Sequence, residues 1–270
     1  MASGSPGAVH TEIDLGIVVA LKDPELDAVL ALEWGWRKHD APNDPTVYYI
    51  GEFRRRDGTV GRAVAARTGQ MGMPAATALG TKLALTFRPK VLAMVGICAG
   101  NKDDTMIGDL VAANPTWDYG SGKHATKDGE SVFEPAPFPL ALTSRIRGII
   151  EPFEGETTAL TEIGQAFEGQ GSARKPKLHI GPFASGAAVV GRAAMVQEVK
   201  LQHRKLLAID MEAYGVAIAA TESVLPVPEF LVVKGVSDFA DEDKGDSQRS
   251  FAAFMSARFL EFLCTSADLC

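Results

Sequence analysis

Short runs of apolar, often β-branched residues recur along this chain and are typical of strands buried inside a sheet. Stretches with the spacing of amphipathic helices lie between them. The predicted strands span residues 15–20, 60–68, 91–98, 110–113 and 230–236. The predicted helices span residues 24–34, 74–87, 211–223 and 248–263. This alternation predicts an α/β fold in which helices cover both faces of a mostly parallel or mixed sheet.

Two polar stretches interrupt the pattern. Residues 117–139 are rich in Gly, Lys, Ser and Pro and are predicted to form a long mobile loop that could cover a site. Residues 154–177 are predicted to be a surface insertion. Because hydrophobic periodicity resumes after each stretch, residues 13–270 are predicted to form one domain behind a disordered tail at residues 1–12.

Composition narrows the possible classes of function. The chain has 270 residues, of which 46% are hydrophobic, and its net charge of -7 argues against general nucleic-acid binding. Cys98, Cys264 and Cys270 show no paired spacing, so neither a disulfide framework nor a metal site is expected. No apolar run is long enough to cross a membrane, and the first ten residues lack a signal-peptide pattern. These features predict a cytoplasmic protein.

Small-residue turns follow two of the predicted strands. They are Thr68-Gly69-Gln70-Met71-Gly72 and Gly96-Ile97-Cys98-Ala99-Gly100. Ligands of open α/β sheets bind at the carboxyl ends of strands, where glycine lets the backbone approach them closely. Neither turn has the dinucleotide-binding or Walker pattern, and tight turns without any ligand are an equally good interpretation.

Two acidic motifs suggest chemistry. Asp210 and Glu212 lie where an apolar segment meets a helix, and a carboxylate there could accept both hydroxyls of a ribose. The alternative is a helix whose first turn is acidic because its dipole favours negative charge. Ser237 and Asp238 end an apolar strand, and a partly buried carboxyl can act as a general acid near neutral pH. The alternative there is an ordinary turn or helix cap.

The motifs, in this order, resemble the nucleoside phosphorylase and nucleosidase family, and most specifically its methylthioadenosine/S-adenosylhomocysteine nucleosidase branch. The likeness covers residues 15–263 and also includes Gly16-Ile17-Val18-Val19-Ala20-Leu21 and Gly108-Asp109-Leu110-Val111-Ala112. It implies a three-layer α/β/α sandwich around a twisted mixed sheet. It also implies hydrolysis of the bond between a purine, most specifically adenine, and its sugar.

The resemblance implies a role for each matching residue. Asp238 would protonate the purine at N7, with Ser237 orienting it. Glu25 would activate the attacking water, although one extra residue in this segment leaves Asp23 as an alternative. The implied substrate contacts are Met211, Glu212, Asp210, Gly96, Ile97, Cys98, Val189 and Val190. The family often has an aromatic residue near Val189, and this chain lacks it.

The family includes phosphorylases, which need a cationic phosphate site beside the glycine-rich turn. Here Met94 and Ile97 stand at the positions of the expected arginine and hydroxyl, so hydrolysis without a cofactor is favoured. A phosphorylase and a non-catalytic nucleoside sensor are the alternatives. Binding alone would not need an acid and a base on opposite sides of the sugar, which argues against the sensor.

The size of the substrate is open at this level. The chain also resembles nucleosidase domains of bacterial signalling and antiphage-defence proteins, some of which are thought to remove adenine from ATP. The possible phosphate contacts are Lys123, His203, Arg204 and Lys205. The alternative is that these cations belong to solvated surface segments. The family resemblance further implies a homodimer or larger homo-oligomer.

Overall fold

The computed structural model describes residues 12–169, 174–187, 193–240 and 246–270. Within these residues the strands are β1 Leu15–Val19, β2 Arg37–Asp40, β3 Val47–Arg54, β4 Val60–Arg67, β5 Val91–Gly100, β6 Leu110–Asp118, β7 Gly122–Lys127, β8 Glu130–Pro135, β9 Leu178–Ser185, β10 Ala208–Asp210 and β11 Glu229–Asp238. The helices are α1 Asp27–Leu30, α2 Met73–Phe87, α3 Ser144–Ile150, α4 Thr158–Gln165, α5 Ala193–Gln202, α6 Ala213–Thr221 and α7 Asp246–Ser266.

Nine strands form one mixed sheet in the order β10-β9-β6-β11-β5-β1-β4-β3-β2. The central strands β4, β1, β5 and β11 run parallel to one another, and β6 is antiparallel to β11. At one end β10 pairs with β9 and also, antiparallel, with β5. The strands β10, β9, β6, β11 and β5 therefore form a closed ring, and the rest of the sheet extends from β5.

The buried strands follow from their apolar sequences. All five residues of β1 are buried, and eight consecutive residues of β11 are buried. Helices α2 and α6 pack on each other, where Gly80 allows contact because a Cβ atom there would lie 2.7 Å from the Cβ atom of Ala219. Helix α7 packs on β5 and β11. The predicted three-layer α/β/α fold around a mixed sheet is confirmed.

The prediction of a loop at residues 117–139 is wrong over much of its length. Strand β6 continues to Asp118, and β7 and β8 form an antiparallel hairpin. Its turn is made by Asp128 and Gly129, whose φ angles are 52° and 84°. An Asp-Gly pair favours such turns because both residues tolerate positive φ. That dipeptide was the signal that the sequence offered for the hairpin.

The predicted helix at residues 24–34 is also wrong in extent. A five-residue π-helical turn, Lys22–Leu26, leads into α1, which ends at Leu30. Trp34 instead packs its ring against Phe53, with ring centroids 4.9 Å apart. Residues 154–177 contain α4, whose first turn is capped by Thr157. No helix in the described parts of the chain is long and apolar enough to cross a membrane.

Candidate functional site

The predicted site residues meet at the carboxyl ends of neighbouring strands. Glu25 follows β1, Ile97 lies near the end of β5, and Asp238 ends β11. Asp210 ends β10 and Glu212 follows it, just before α6. This edge is where α/β sheets of this type bind ligands, because the connecting segments leave a crevice there.

Glu25 is held almost entirely by backbone groups. Its Oε2 accepts hydrogen bonds from the N–H groups of Ala20 and Leu21, each at 2.8 Å. Its Oε1 accepts one from the N–H of Ile97 at 2.9 Å. The side chain is 2% exposed, whereas Asp23 in the same turn is exposed. The π-helical turn thus directs one acidic side chain into the sheet edge and the other towards solvent.

Lys234 is a fully buried cation in the middle of the acidic residues. Its Nζ lies 3.8 Å from Oε1 of Glu25 and 3.5 Å from Oδ2 of Asp210. Within the described residues this Nζ has no hydrogen-bond partner. Burial alone would lower the pKa of the ammonium, but the charges of the surrounding carboxylates outweigh burial and raise it. Lys234 therefore remains charged at neutral pH.

The side chain of Asp210 makes its hydrogen bonds to other groups of the protein. Its carboxylate accepts the hydroxyl of Ser185 at 2.7 Å and the backbone N–H groups of Glu212 and Ala213 at 3.0–3.1 Å. It thereby caps α6 in place of the N-cap residue Glu212, whose side chain makes no capping bond. Burial raises the pKa of Asp210 despite the opposing effect of Lys234.

Glu212 is turned away from its own helix towards the loop before α2. Its Oε1 accepts the N–H of Gly72 at 2.8 Å, and the residue is 5% exposed. Burial raises the pKa of Glu212 to about 7, and the charge of Asp210 adds to the rise. Gly72 has a φ of 108°, which only glycine adopts readily, so this donor depends on the residue type.

Asp238 lies half-buried where β11 leaves the sheet. The register of β11 against β5 shifts by one residue at Ser237, so that Val236 pairs with Cys98 and Asp238 with Ala99. Oδ1 of Asp238 accepts the N–H of Ala240 at 2.9 Å, and Oδ2 accepts the hydroxyl of Ser237 at 3.0 Å. The Ser237 hydroxyl also lies 3.3 Å from the carbonyl oxygen of Cys98. The carboxyl is thus oriented by two donors and is reachable from outside.

The other predicted contacts divide into three groups. Gly96, Ile97 and Cys98 lie on β5 beside Glu25, and Met211 lies between Asp210 and Glu212. The Cys98 thiol is buried, and burial raises its pKa well above the usual value. Val189 and Val190 lie outside the described residues.

The predicted phosphate contacts are spread over the surface. Lys123 is on the β7–β8 hairpin and pairs with Glu134 at 2.9 Å. The ring of His203 lies against that of Trp117, with centroids 5.7 Å apart. Arg204 and Lys205 are exposed in the turn before β10. Lys123 therefore has a structural partner, whereas Arg204 and Lys205 point to solvent.

Three residues that contact the acidic side chains were not predicted from the sequence as members of the site: Lys234, Gly72 and Ser185. Lys234 had a visible signal, since a lysine between Val233 and Gly235 in an apolar strand is buried and needs a charged partner. Gly72 was noted only as part of the turn at residues 68–72, and Ser185 was not noted, because each contacts a partner more than twenty residues away. No group of three or more potential metal ligands occurs among the residues that the structure describes.

Comparison with known proteins places this chain in a family. The model of the phosphorylase superfamily matches residues 14–265. Uncharacterized protein y4jS of Sinorhizobium fredii is 40% identical over 93% of this chain and 60% of its own length. ATP nucleosidase Cap17 of Escherichia coli is 26% identical over 78% of this chain and 42% of its own length. The chain thus spans less than two thirds of either relative.

Solved structures show the same fold. The S-adenosylhomocysteine nucleosidase of Streptococcus pyogenes, in complex with 5-methylthiotubericidin, superposes with a TM-score of 0.69 at 20% identity. The match covers 94% of this chain and 97% of that structure. The family resemblance inferred from the motifs is confirmed: the chain belongs to the phosphorylase superfamily.

Proposed function

We propose that this chain hydrolyses the N-glycosidic bond of an adenine nucleoside or nucleotide and releases adenine. The bond breaks as positive charge develops on the sugar and negative charge on the base. Asp238, held by Ser237 and the Ala240 N–H, donates a proton to N7 of the base. A positioned acid of this kind contributes about 10²- to 10⁴-fold to the rate.

Glu25 binds and activates the attacking water in this proposal, and Lys234 supplies the neighbouring positive charge. A carboxylate has about four lone pairs for hydrogen bonding, and three of those of Glu25 are taken by backbone N–H groups. The remaining one belongs to Oε1, the atom that faces Lys234 at 3.8 Å. A water that donates a hydrogen bond to this free lone pair of Oε1 gives its proton to Glu25 as its oxygen attacks the sugar. The burial of Glu25 and exposure of Asp23 support Glu25 as the base.

Glu212 holds the ribose in this scheme. With Oε1 bound to the Gly72 N–H, Oε2 remains available to accept the sugar hydroxyls. Asp210 does not contact the sugar. It fixes the start of α6, and hence the backbone of Glu212, through its two N–H bonds. In this proposal Asp210 positions Glu212 and is not itself a substrate contact.

The net charge around Lys234 is the observation that favours hydrolysis over phosphorolysis. Glu25, Asp210 and Glu212 surround a single ammonium, and the cluster becomes acidic as the pH rises above about 7, the pKa of Glu212. A phosphate dianion would be repelled by it, whereas water would not. Met94 is fully buried and apolar, so it supplies no compensating positive charge.

The names of the relatives support adenine as the base. Cap17 is an ATP nucleosidase, and the streptococcal protein is an S-adenosylhomocysteine nucleosidase. Both substrates are adenosine derivatives that differ at the 5′ carbon. Arg204 and Lys205 are the exposed cations that suit a nucleotide, and we propose them as its phosphate contacts.

The test is adenine release from methylthioadenosine, adenosine, AMP and ATP, each with and without inorganic phosphate. We expect release from at least one of the four without phosphate, and no sugar phosphate among the products. Release that depends on phosphate would refute hydrolysis. A double substitution, Arg204→Gln with Lys205→Gln, should raise the KM for ATP and leave that for adenosine unchanged if the phosphate contacts are correct.

The raised pKa of Glu212 predicts how stability depends on pH. The folded-state pKa of about 7 exceeds the ordinary value of 4.5, so the folded protein binds the proton more tightly than the unfolded chain does. The resulting stabilisation is complete below pH 4.5 and is lost as the pH rises to 7. Between pH 5 and 8, wild type should lose roughly 1–3 kcal/mol more stability than Glu212→Gln in urea unfolding.

The matched control for this experiment is Glu222→Gln. Glu222 is exposed at the other end of α6, so its removal should leave the pH dependence of wild type unchanged. Equal pH dependence in wild type and Glu212→Gln would contradict a raised pKa. In kinetic assays, the KM of wild type should fall as the pH rises through 7, because the ionised carboxylate is the better acceptor for ribose hydroxyls.

A further inference from the structure

Glu25 is set directly against the backbone of β5. Gly96 has a φ of 143°, and a Cβ atom at this residue would lie 2.1 Å from Oε1 of Glu25. The carboxylate therefore occupies the space in which any other residue would carry its side chain. Its orientation depends on the peptide groups of Gly96 and Ile97, since the latter donates to Oε1.

Two consecutive N–H groups of this segment have different partners. The N–H of Ile97 bonds to Glu25, and the N–H of Gly96 bonds to Oγ of Ser256 on α7 at 3.1 Å. Ser256 is completely buried and donates its own hydroxyl proton to the carbonyl oxygen of Ala253 at 2.9 Å. With that donation the hydroxyl is fixed in direction, and its lone pairs face Gly96.

The close approach of α7 makes this contact possible. Gly235 of β11 pairs in register with Ile97, and a Cβ atom at Gly235 would lie 2.2 Å from the carbonyl oxygen of Ala252. Ala252 and Ser256 are four residues apart and so lie on the same face of α7. One turn of the helix thus rests on the backbone of β5 and β11, near enough for the short serine side chain to reach Gly96.

We propose that Ser256 is a positioning residue for water activation, acting through the Gly96–Ile97 peptide on Glu25. The inference rests on the proposed role of Glu25. Without the hydroxyl, the Gly96 N–H would be buried and unpaired. Because glycine tolerates many φ and ψ values, the Val95–Gly96 peptide and the Gly96–Ile97 peptide can rotate together as this N–H turns towards another acceptor. That rotation would withdraw the Ile97 N–H from Oε1 and release the carboxylate from its fixed direction.

The experiment compares Ser256→Ala with Ala257→Gly. Glycine at position 257 weakens the same turn of α7 but leaves the hydroxyl in place. We expect Ser256→Ala to lower kcat between about tenfold and about hundredfold, because small misplacements of catalytic groups have effects of this size. Its KM should stay within about twofold of wild type. Ala257→Gly should lower the melting temperature and keep kcat within about twofold of wild type.

Hydrogen exchange separates this inference from the proposed function. The amide of Ile97 should exchange at least about tenfold faster in Ser256→Ala than in wild type or Ala257→Gly, whatever substrate the protein uses. Unchanged exchange at Ile97, or equal kcat in the two variants, would overturn the positioning role. Absence of adenine release by wild type, together with faster exchange at Ile97, would refute the nucleosidase function and leave the structural link intact.

Discussion

Replacing Asp238 with asparagine is expected to lower kcat by about 10²- to 10⁴-fold while substrate still binds. Asparagine has the shape of aspartate, and its Oδ1 can keep the bond from the Ala240 N–H. The variant cannot, however, give a proton to the departing base. Adenine release measures turnover, and calorimetric titration with the substrate found active in wild type measures binding.

Glu229→Gln is the matched control, because it neutralises a carboxylate at the opposite end of the same strand, about 30 Å away. Glu229 binds Thr143 and Arg145. Its replacement should leave kcat unchanged. A non-catalytic sensor would instead bind nucleoside equally well in wild type and Asp238→Asn, with no turnover in either protein. That result would contradict the proposed role of Asp238 as the acid.

Replacing Lys234 with methionine is expected to destabilise the fold by about 3–5 kcal/mol at pH 7, the usual cost of leaving buried charges without their partner. Glu25 and Asp210 would lose the cation that lies within 4 Å of both. The loss is a large part of the roughly 5–15 kcal/mol that holds a typical domain folded. Urea unfolding, followed by fluorescence and by circular dichroism, measures it.

Lys82→Met is the control for this variant. Lys82 pairs with Asp44 at the surface, where such pairs contribute about 1 kcal/mol or less. The difference in stability between wild type and Lys234→Met should also shrink towards pH 4, because Asp210 and Glu212, whose pKa values are raised, become protonated. A difference below about 1 kcal/mol at pH 7 would contradict a charged cluster.

Local patterns predicted the layered fold but not the closure of five strands into a ring through the pairing of β10 with β5. The apolar runs marked β1, β4, β5 and β11 well, because buried parallel strands are apolar throughout. The hairpin of β7 and β8 was missed because its strands are exposed and polar. The turn signal Asp128-Gly129 was overlooked because the Gly, Lys, Ser and Pro content of residues 117–139 favoured a loop.

The family resemblance, rather than spacing alone, singled out the acidic residues, and neither described their environment. Asp238 and Glu212 were recognisable because each follows an apolar segment, and their roles stay predictions. Asp210 caps α6 through residues two and three positions along the chain, a local contact that the acidic first turn already suggested. That Ile97 and Lys234 face Glu25 depends instead on contacts between distant parts of the chain. No local pattern encodes such contacts, which explains why Lys234 was missed despite its unusual place in an apolar strand.

The closed ring of strands has a consequence for how a ligand gets in and out. The backbone bonds between β10 and β5 join Ala208 to Gly100 and Ile209 to Ala99, so the rim beside Asp210 cannot widen without breaking them. The residues proposed as the acid, the ribose carboxylate and the water-activating base are therefore assembled during folding and need little reorganisation to bind a ligand. A ligand must therefore enter and leave past the connecting segments. We expect the exposed loop at residues 69–71 to set the rate at which adenine departs.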